Sequence, residues 1–415
     1  MDRSIARGGA SAGRAHLAAL ALALALAACS GRPDGVMAPT TLSAEGTSKV
    51  DMLVVTTRAP TGDPARPYDG ERGRGASMDA VTVSVPPEAV RTPGEIQWPE
   101  SLPADPAKSF AVLADRPIPE RDGRDWFRRT GKKRVLLFVH GFNTRYEDAV
   151  FRFAQVVHDS RTDFAPVLFT WPSRGSVFDY VYDRESTNWS RDTLERLLRA
   201  AGEAPDVDEV TVMAHSMGSW LAMEAVRGLA LHGGVPKKIR NVILAAPDVD
   251  VDVFERQIQR IGPAPHVTLF VSRDDRALDL SRRIAGGVDR LGAIDPAQEP
   301  HRSRLERTGV TVLDLTALKS GDPLNHGKFA QSPEVVRLLG DRLIAGQKVS
   351  EDRVGLADRL GAVTMGAAGA LGSAASVVVT TPIAVFEPDA RDRIGDRLGD
   401  VGRHAGGTVA PLVGE

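Results

Sequence analysis

Val210-Thr-Val-Met-Ala214-His215-Ser216-Met217-Gly218 is the stretch on which the reading of this chain turns. Its first five residues are apolar or β-branched and make a short buried strand, and immediately afterwards Ala222, Ala225, Val226 and Leu229 recur at helical spacing. Small residues two before and two after the serine let strand and helix approach while the hydroxyl projects from the strand's end. Ser216 is therefore the candidate nucleophile, with Ala214 supplying only a methyl group where glycine is usual.

A serine hydroxyl attacks poorly until a base takes its proton, so Ser216 predicts a histidine within reach and an acid that orients it. Of the nine histidines, His326 is favoured, because Asp322-Pro-Leu-Asn-His326-Gly327 is a polar loop after the last strand-like run and before the helix opening at Pro333. His301 reads as a solvated loop residue, His158 and His232 as helix ends, His266 as a strand start. Two carboxylates compete for the orienting role. Ala245-Ala-Pro-Asp248 and Val271-Ser-Arg-Asp274-Asp275 each place an acid just past a strand, and the Ser-x-x-Asp turn favours Asp275, with Asp248 the alternative. Either is also a natural N-cap for the helix that follows.

A second signature precedes the first. In Val135-Leu-Leu-Phe-Val139-His140-Gly141-Phe142-Asn143 an apolar strand opens into a His-Gly-aromatic turn, and backbone N–H groups of Phe142 and of Met217 are the candidate donors for an oxyanion. His140 reads as structural, pinning its own turn.

Working outward, apolar runs suited to strands lie at 52–56, 81–85, 134–139, 167–170, 210–214, 241–246, 267–271 and 310–315. Amphipathic helical stretches separate the inner ones: Val150, Phe153, Ala154 and Val157, then Leu194, Leu197, Leu198 and Ala201 with Ser190 placed to cap. This alternation predicts an α/β fold, a mostly parallel eight-stranded sheet with helices on both faces and the first two strands as an antiparallel edge. Residues 64–74 and 86–125, rich in Pro, Gly and charge, read as loops.

The ordered set Val54-Val-Thr-Thr-Arg58, His140-Gly-Phe-Asn143, Phe169-Thr-Trp171-Pro-Ser173, Ala214-His-Ser-Met-Gly218, Ala245-Ala-Pro-Asp248-Val-Asp250 and Ser272-Arg-Asp-Asp-Arg276 resembles a bacterial α/β-hydrolase family of undefined function, esterase- or lipase-like. The resemblance implies the α/β-hydrolase fold and a catalytic triad of Ser216, Asp275 and His326; it implies no substrate. Trp171 and Tyr182 are candidates either for lining a substrate pocket or for packing.

The ends of the chain read differently. Arg3, Arg7 and Arg14 precede an uncharged run over 17–28 that is laid out as a secretory leader and is too short to span a bilayer. It ends in Leu26-Ala-Ala-Cys29, which resembles a bacterial lipobox, and Cys29 is the only cysteine, so lipidation there is expected and a disulfide is not. Residues 1–28 are thus expected as leader, 29–49 as a tether from the lipid, 50–347 as the α/β-hydrolase domain and 348–415 as an Ala- and Gly-rich extension. Within that extension 360–386 has the length to cross a bilayer, but Ala and Gly contribute little transfer energy, which sets packing or disorder against membrane association.

Composition narrows the partners. A net charge of -2 lacks the basic excess that neutralises a phosphate backbone, so nucleic acid is not expected. The alternation Asp248, Asp250, Asp252 lacks the glycine and glutamate of a calcium loop, having Val253 and Gln259 at those places, and no nucleotide or zinc motif occurs; neither metal nor cofactor is expected. The expectation is an enzyme cleaving a small-molecule or lipid carboxylic ester at the cell envelope, held to the membrane through lipidated Cys29, on an outer membrane facing the periplasm if the source is Gram-negative. Two other readings share the motifs: an acyltransferase, and a non-catalytic envelope lipoprotein using the fold as a scaffold. Nothing in the pattern specifies an oligomeric state.

Overall fold

Alternate residues of the strand Arg134–Val139 belong to two separate cores: Leu136 and Phe138 point to one, Val135, Leu137 and Val139 to the other. Successive side chains of a strand face opposite ways, so a strand apolar at every position is one buried on both faces. The computed structural model, which describes residues 34–344 and 379–380, shows this strand near the middle of a ten-stranded sheet.

The elements in chain order are β1 (Ser48–Asp63), β2 (Arg66–Val85), β3 (Ala111–Pro117), α1 (Gly123–Arg129), β4 (Arg134–Val139), α2 (Tyr146–Ser160), β5 (Ala165–Thr170), α3 (Tyr180–Glu203), β6 (Glu209–His215), α4 (Met217–Leu231), β7 (Ile239–Ala245), α5 (Val251–Ile261), β8 (His266–Val271), α6 (Arg276–Ile284), α7 (His301–Thr308), β9 (Thr311–Asp314), α8 (Lys328–Gln331), α9 (Pro333–Ile344) and the two-residue β10 (Val379–Thr380). The sheet order is β10-β9-β8-β7-β6-β4-β5-β1-β2-β3. From β9 to β1 all neighbours run parallel, and β2, β3 and β10 are antiparallel to theirs. Helices α2 and α9 cover one face, and α3, α4 and α5 cover the other. Parallel strands followed by helices bring every strand-to-helix turn to one edge of the sheet, the edge where β4, β5, β6, β7 and β8 end.

All eight expected strands lie on observed ones, and the mostly parallel sheet with helices on both faces is the architecture found, although it has ten strands rather than eight, β3 and the two-residue β10 being added at its edges. Three expectations are corrected. Residues 64–74 are no loop but the outer half of the β1–β2 hairpin, and β3 lies inside the stretch 86–125. The outer hairpin pairs through its backbone while exposing mostly polar side chains, and β3 buries only Ala111 and Val112 of a short apolar run, so neither shows an extended apolar period. Ser190 is no cap: α3 starts ten residues earlier, and the Ser190 hydroxyl bonds Thr57 Oγ1 at 2.8 Å and the Ser186 carbonyl at 2.8 Å. Finally, the segment expected to tether loosely up to residue 49 is docked in part, since Val36 and Met37 are each 1% exposed and Thr40 N donates to Val112 O at 2.8 Å. Cys29 and nearly all of 348–415 lie outside the described residues. Among the described residues no helix is long and apolar enough to cross a membrane.

Near the hairpin, Asp79 is buried and both carboxylate oxygens of Asp115 are shielded without a hydrogen-bond partner. Burial, and then the charge of Asp79, push Asp115 up to about 7. A carboxylate whose folded pKa is raised holds its proton in the native state over a range where the unfolded chain, at ~3.9, has lost it. Its contribution to stability therefore declines as pH rises from about 4 towards 7. Asp115→Asn should raise the unfolding temperature at pH 8 by about 2 °C or more and leave it nearly unchanged at pH 4; thermal melts at the two pH values check this, and an equal shift at both would refute the buried-carboxylate account.

Candidate active site

The turn between β6 and α4 places Ser216 at φ 52° and ψ -125°, a left-handed conformation that a non-glycine residue adopts only when its surroundings hold it there. They do so through three backbone bonds. Ser216 N donates to Ala245 O at 3.0 Å, and Ser216 O accepts from Ser219 N at 3.0 Å and from Asp248 N at 3.1 Å. Crowding completes the constraint. A Cβ on Gly218 would lie 2.2 Å from His140 O, and one on Gly141 would lie 2.8 Å from the Ser216 Cβ. Both glycines are thus required by close approach, and together they seat the start of α4 against the β4 turn.

That seating puts the two candidate oxyanion donors on adjacent backbone. Met217 is the first residue of α4, so its N–H has no intrahelical acceptor. Phe142 follows Gly141 in a turn held from several sides. Asn143 N (φ 55° at this residue) donates to Asp183 Oδ2 at 3.3 Å, Thr144 N donates to Ser173 Oγ at 3.0 Å, and Ser173 Oγ donates to Asp183 Oδ2 at 2.5 Å. Buried Arg58 reaches the same turn, donating to Thr144 O at 2.8 Å, Ser173 O at 2.8 Å, Asp69 O at 3.1 Å and Thr170 Oγ1 at 2.8 Å. Burial lowers Arg58 to about 10, still a cation at neutral pH.

His140 is fully enclosed by this network. Burial and the neighbouring Arg58 charge hold its pKa well below the ordinary 6.5, so the ring is neutral. Its Nε2 accepts from Trp171 N at 3.1 Å, which leaves Nδ1–H to donate to Gly141 O at 2.8 Å. Trp171 stacks on the ring and donates from Nε1 to His140 O at 2.9 Å; it packs, as does Tyr182, whose ring lies beneath Arg174 and whose hydroxyl bonds Gly70 O.

Only one of the two carboxylates bonds the histidine. Asp275 is 2% exposed and does two things at once: Oδ1 accepts Leu278 N at 2.9 Å, capping α6, and Oδ2 accepts His326 Nδ1 at 2.7 Å. Asp248 is engaged elsewhere, with Ser281 Oγ at 2.6 Å, Tyr180 OH at 3.1 Å and Arg290 Nε at 3.3 Å. The structure brings His326 to Asp275. Asp250, which the acidic alternation drew attention to, is the N-cap of α5.

Several residues that hold His326 in place were not singled out in the sequence. Asp322 Oδ2 accepts the N–H groups of His326 and Gly327 at 2.7 and 2.9 Å, and Asn325, at φ 56°, donates to Asp274 Oδ2 at 3.0 Å. Lys328 is 2% exposed, and its ammonium bonds Asp274 Oδ1 at 2.8 Å, Ser272 Oγ at 2.9 Å and the carbonyls of Leu315 and Thr316. It ties the loop carrying the histidine to the turn carrying the acid. The only sequence signal is a lysine within two residues of His326. His215 links the base to the elbow, its ring 4.6 Å from that of His326 and its Nε2 3.2 Å from His326 O.

A polar cavity of about 330 Å³ lined by Asp275, Arg273, Arg290 and His301 adjoins the acid, and His301 sits in it as the first residue of α7 rather than in a solvated loop. An apolar cavity of about 760 Å³ lies apart, among Leu53, Met78, Ile118, Trp126, Leu137 and Leu197. Among the described residues no three His, Cys, Asp or Glu side chains gather as metal ligands would.

Burial alone lowers the His326 pKa, but the charge and hydrogen bond of Asp275, with Asp248 and Asp322 behind it, outweigh burial and raise it above 6.5. In Asp275→Asn the burial effect loses its main opponent, so an NMR titration of the His326 ring should show its pKa falling. An unchanged midpoint would mean that Asp275 does not govern the ring.

Comparison with known proteins places these residues in a family. The family described as "Alpha/beta hydrolase of unknown function (DUF900)" matches residues 120–342. An uncharacterized protein of Nostoc sp. (strain PCC 7120) is 24% identical over 144 residues, which is 28% of this chain and 37% of that protein. The match therefore spans little more than a third of the length of that relative. Among solved structures, carboxyl esterase 2 from the fungus Tuber melanosporum aligns with a TM-score of 0.35 at 11% identity, over 79% of this chain and 98% of that one. An esterase of Pyrococcus furiosus aligns with a TM-score of 0.31 at 10% identity, over 72% and 91%. The matched family segment runs over more than half of the chain and contains the Ser216 elbow, the His140 turn and the Asp275–His326 pair, and the chain belongs to this α/β-hydrolase family of unknown function.

Proposed function

We propose that the protein is a serine hydrolase that cleaves carboxylic esters through an acyl-Ser216 intermediate, acting at the cell envelope to which a lipidated Cys29 would hold it. The observation that carries the reading is the 2.7 Å bond from His326 Nδ1 to Asp275, with His326 packed on His215, the residue that precedes a serine held at positive φ on a strand-to-helix turn.

The chemistry follows from that arrangement. With Nδ1–H donated to Asp275, the neutral imidazole keeps its lone pair on Nε2, the tautomer a general base needs. Ser216 Oγ attacks the ester carbonyl carbon as its proton passes to His326 Nε2, and the carbonyl oxygen becomes an oxyanion facing the N–H groups of Phe142 and Met217. Collapse expels the alcohol oxygen, which takes the proton from His326 and leaves the acyl group on Ser216. Water then attacks that acyl carbon with His326 again as base, releasing the carboxylic acid and restoring the serine. Asp275 stays ionised and offsets the imidazolium charge in each transition state.

Ser216→Ala should reduce turnover of p-nitrophenyl acetate by about 10⁴ while the fold is retained, and a fluorophosphonate should label the wild-type protein at Ser216 alone. Wild-type turnover in the folded mutant would remove Ser216 from the reaction. The acid limb of kcat/KM should have its midpoint above 6.5, because the reactive ring is the deprotonated one and its pKa is raised. The two acids are separated by kinetics. Asp275→Asn should lower kcat by about 10³–10⁴ through loss of the correct tautomer, whereas Asp248→Asn should act mainly on thermal stability; reversed penalties would reassign the acid.

A further inference from the structure

The rim of the site carries apolar side chains that are about half or more exposed to solvent. At the start of α3, Val177, Phe178 and Val181 are exposed, Phe178 to 92%; on α6, Leu280 and Ile284 are more than half exposed, and Leu324 stands out from the His326 loop. Single exposed apolar residues are ordinary, but these fall in two stripes at helical spacing. The stripes are joined. Tyr180, between Val177 and Val181, turns inward, and its hydroxyl lies 3.1 Å from the hydroxyl of Ser281, the residue after Leu280. The ring of Tyr180 meets that of Phe142 edge-on at 5.3 Å, and Arg276 N donates to Leu324 O at 2.9 Å. The same segments that present the apolar side chains outward thus build the oxyanion turn and the histidine loop inward.

We propose that this rim docks on a lipid surface and that the substrates are acyl esters embedded in that surface; the substrate part rests on the ester-hydrolase reading above. A lipid phase is chosen over another occupant by one observation and one argument. Asp34, where the described chain begins, pairs with Arg145 Nη1 at 3.5 Å, and Arg145 precedes α2 on the edge of the sheet that holds His140 and Phe142. Cys29 is five residues earlier, so a lipid attached there lies within about 17 Å of Asp34 even if the chain between is fully extended. A lipid on Cys29 would therefore be within reach of the end of the molecule that carries the apolar rim. A protein seated on the rim would cover the approach to Ser216, whereas a lipid surface would deliver the ester to it. Apolar side chains inserted among acyl chains are the ordinary means by which a protein sits on such a surface.

The test uses the full-length protein with unilamellar vesicles of phosphatidylethanolamine and phosphatidylglycerol carrying a long-chain p-nitrophenyl ester, beside water-soluble p-nitrophenyl acetate. Phe178→Asp and Leu280→Asp should lower turnover of the vesicle-held ester by about tenfold through lost insertion, and should leave turnover of the soluble ester within about twofold. In Phe178→Trp, the added indole fluorescence should shift to the blue and be quenched by brominated lipid. Equal turnover of the vesicle-held ester in the Asp variants, or an introduced indole that brominated lipid does not quench, would overturn the docking proposal. So would a loss of self-association in Phe178→Asp with vesicle turnover intact, which would make the rim a contact between copies of this chain. Should the wild-type protein leave even the soluble ester untouched, the ester-hydrolase reading fails, and quenching of the introduced indole in Phe178→Trp still decides the docking surface by itself.

Discussion

A methyl group on residue 218 would meet the carbonyl oxygen of His140 at 2.2 Å, and one on residue 141 would meet Ser216 at 2.8 Å. Those two absences of a side chain let the start of α4 and the turn after β4 touch through their backbones. The rest of the site is referred to that contact. It sets where Ser216 projects, and it brings the Phe142 turn beside the first N–H of a helix, where aligned peptide dipoles already favour negative charge. The positive φ of Ser216 is strain, and it persists because three backbone bonds and two glycine contacts over-determine it.

Around this contact the protein uses buried cations as fasteners. Arg58 spends its guanidinium on three carbonyls and a threonine hydroxyl that come from the hairpin, the end of β5 and the His140 turn. Lys328 does the same between the histidine loop and the Ser272–Asp275 turn. A buried cation costs a large desolvation free energy, which is tolerable only when several oxygens replace the lost water. The consequence is directional: many donors radiating from one group fix the relative position of several loops, as apolar contacts, which tolerate sliding, would not.

The two aspartates past β7 and β8 divide the labour. Both follow parallel strands and both are buried, yet Asp275 faces the histidine and Asp248 faces Ser281, Tyr180 and Arg290. Asp248 thereby joins α6 to α3 and supports Tyr180 against Phe142. One carboxylate orients the His326 ring; the other holds the wall against which the Phe142 turn rests.

How much of this was legible follows from what each signal measures. Period-two and continuous apolar runs report burial on the faces of a sheet, so β4, β6, β7 and β8 were readable from the chain, and a serine between small residues at a strand-helix junction identified Ser216 because local crowding alone demands that pattern. His326 was placed by chain order and by its polar loop. The outer half of the hairpin was not readable, since strands that pair by backbone while presenting polar side chains leave no apolar period, and β3 was missed because its apolar run is short, burying only Ala111 and Val112. The first half of α3 escaped for the opposite reason: its inward face is Asp183, Ser186, Thr187 and Ser190, buried polar groups, of which Ser186 and Ser190 bond the hairpin and Asp183 the turns at Asn143 and Ser173, where hydrophobicity says surface. The pairing of Asp275 with His326 spans 51 residues of sequence, and two carboxylates at two strand ends are locally equivalent. Local sequence decided which serine sits in the strained strand-to-helix turn; only the packing of distant loops, through Lys328, Asn325 and Asp322, decided which carboxylate reaches His326.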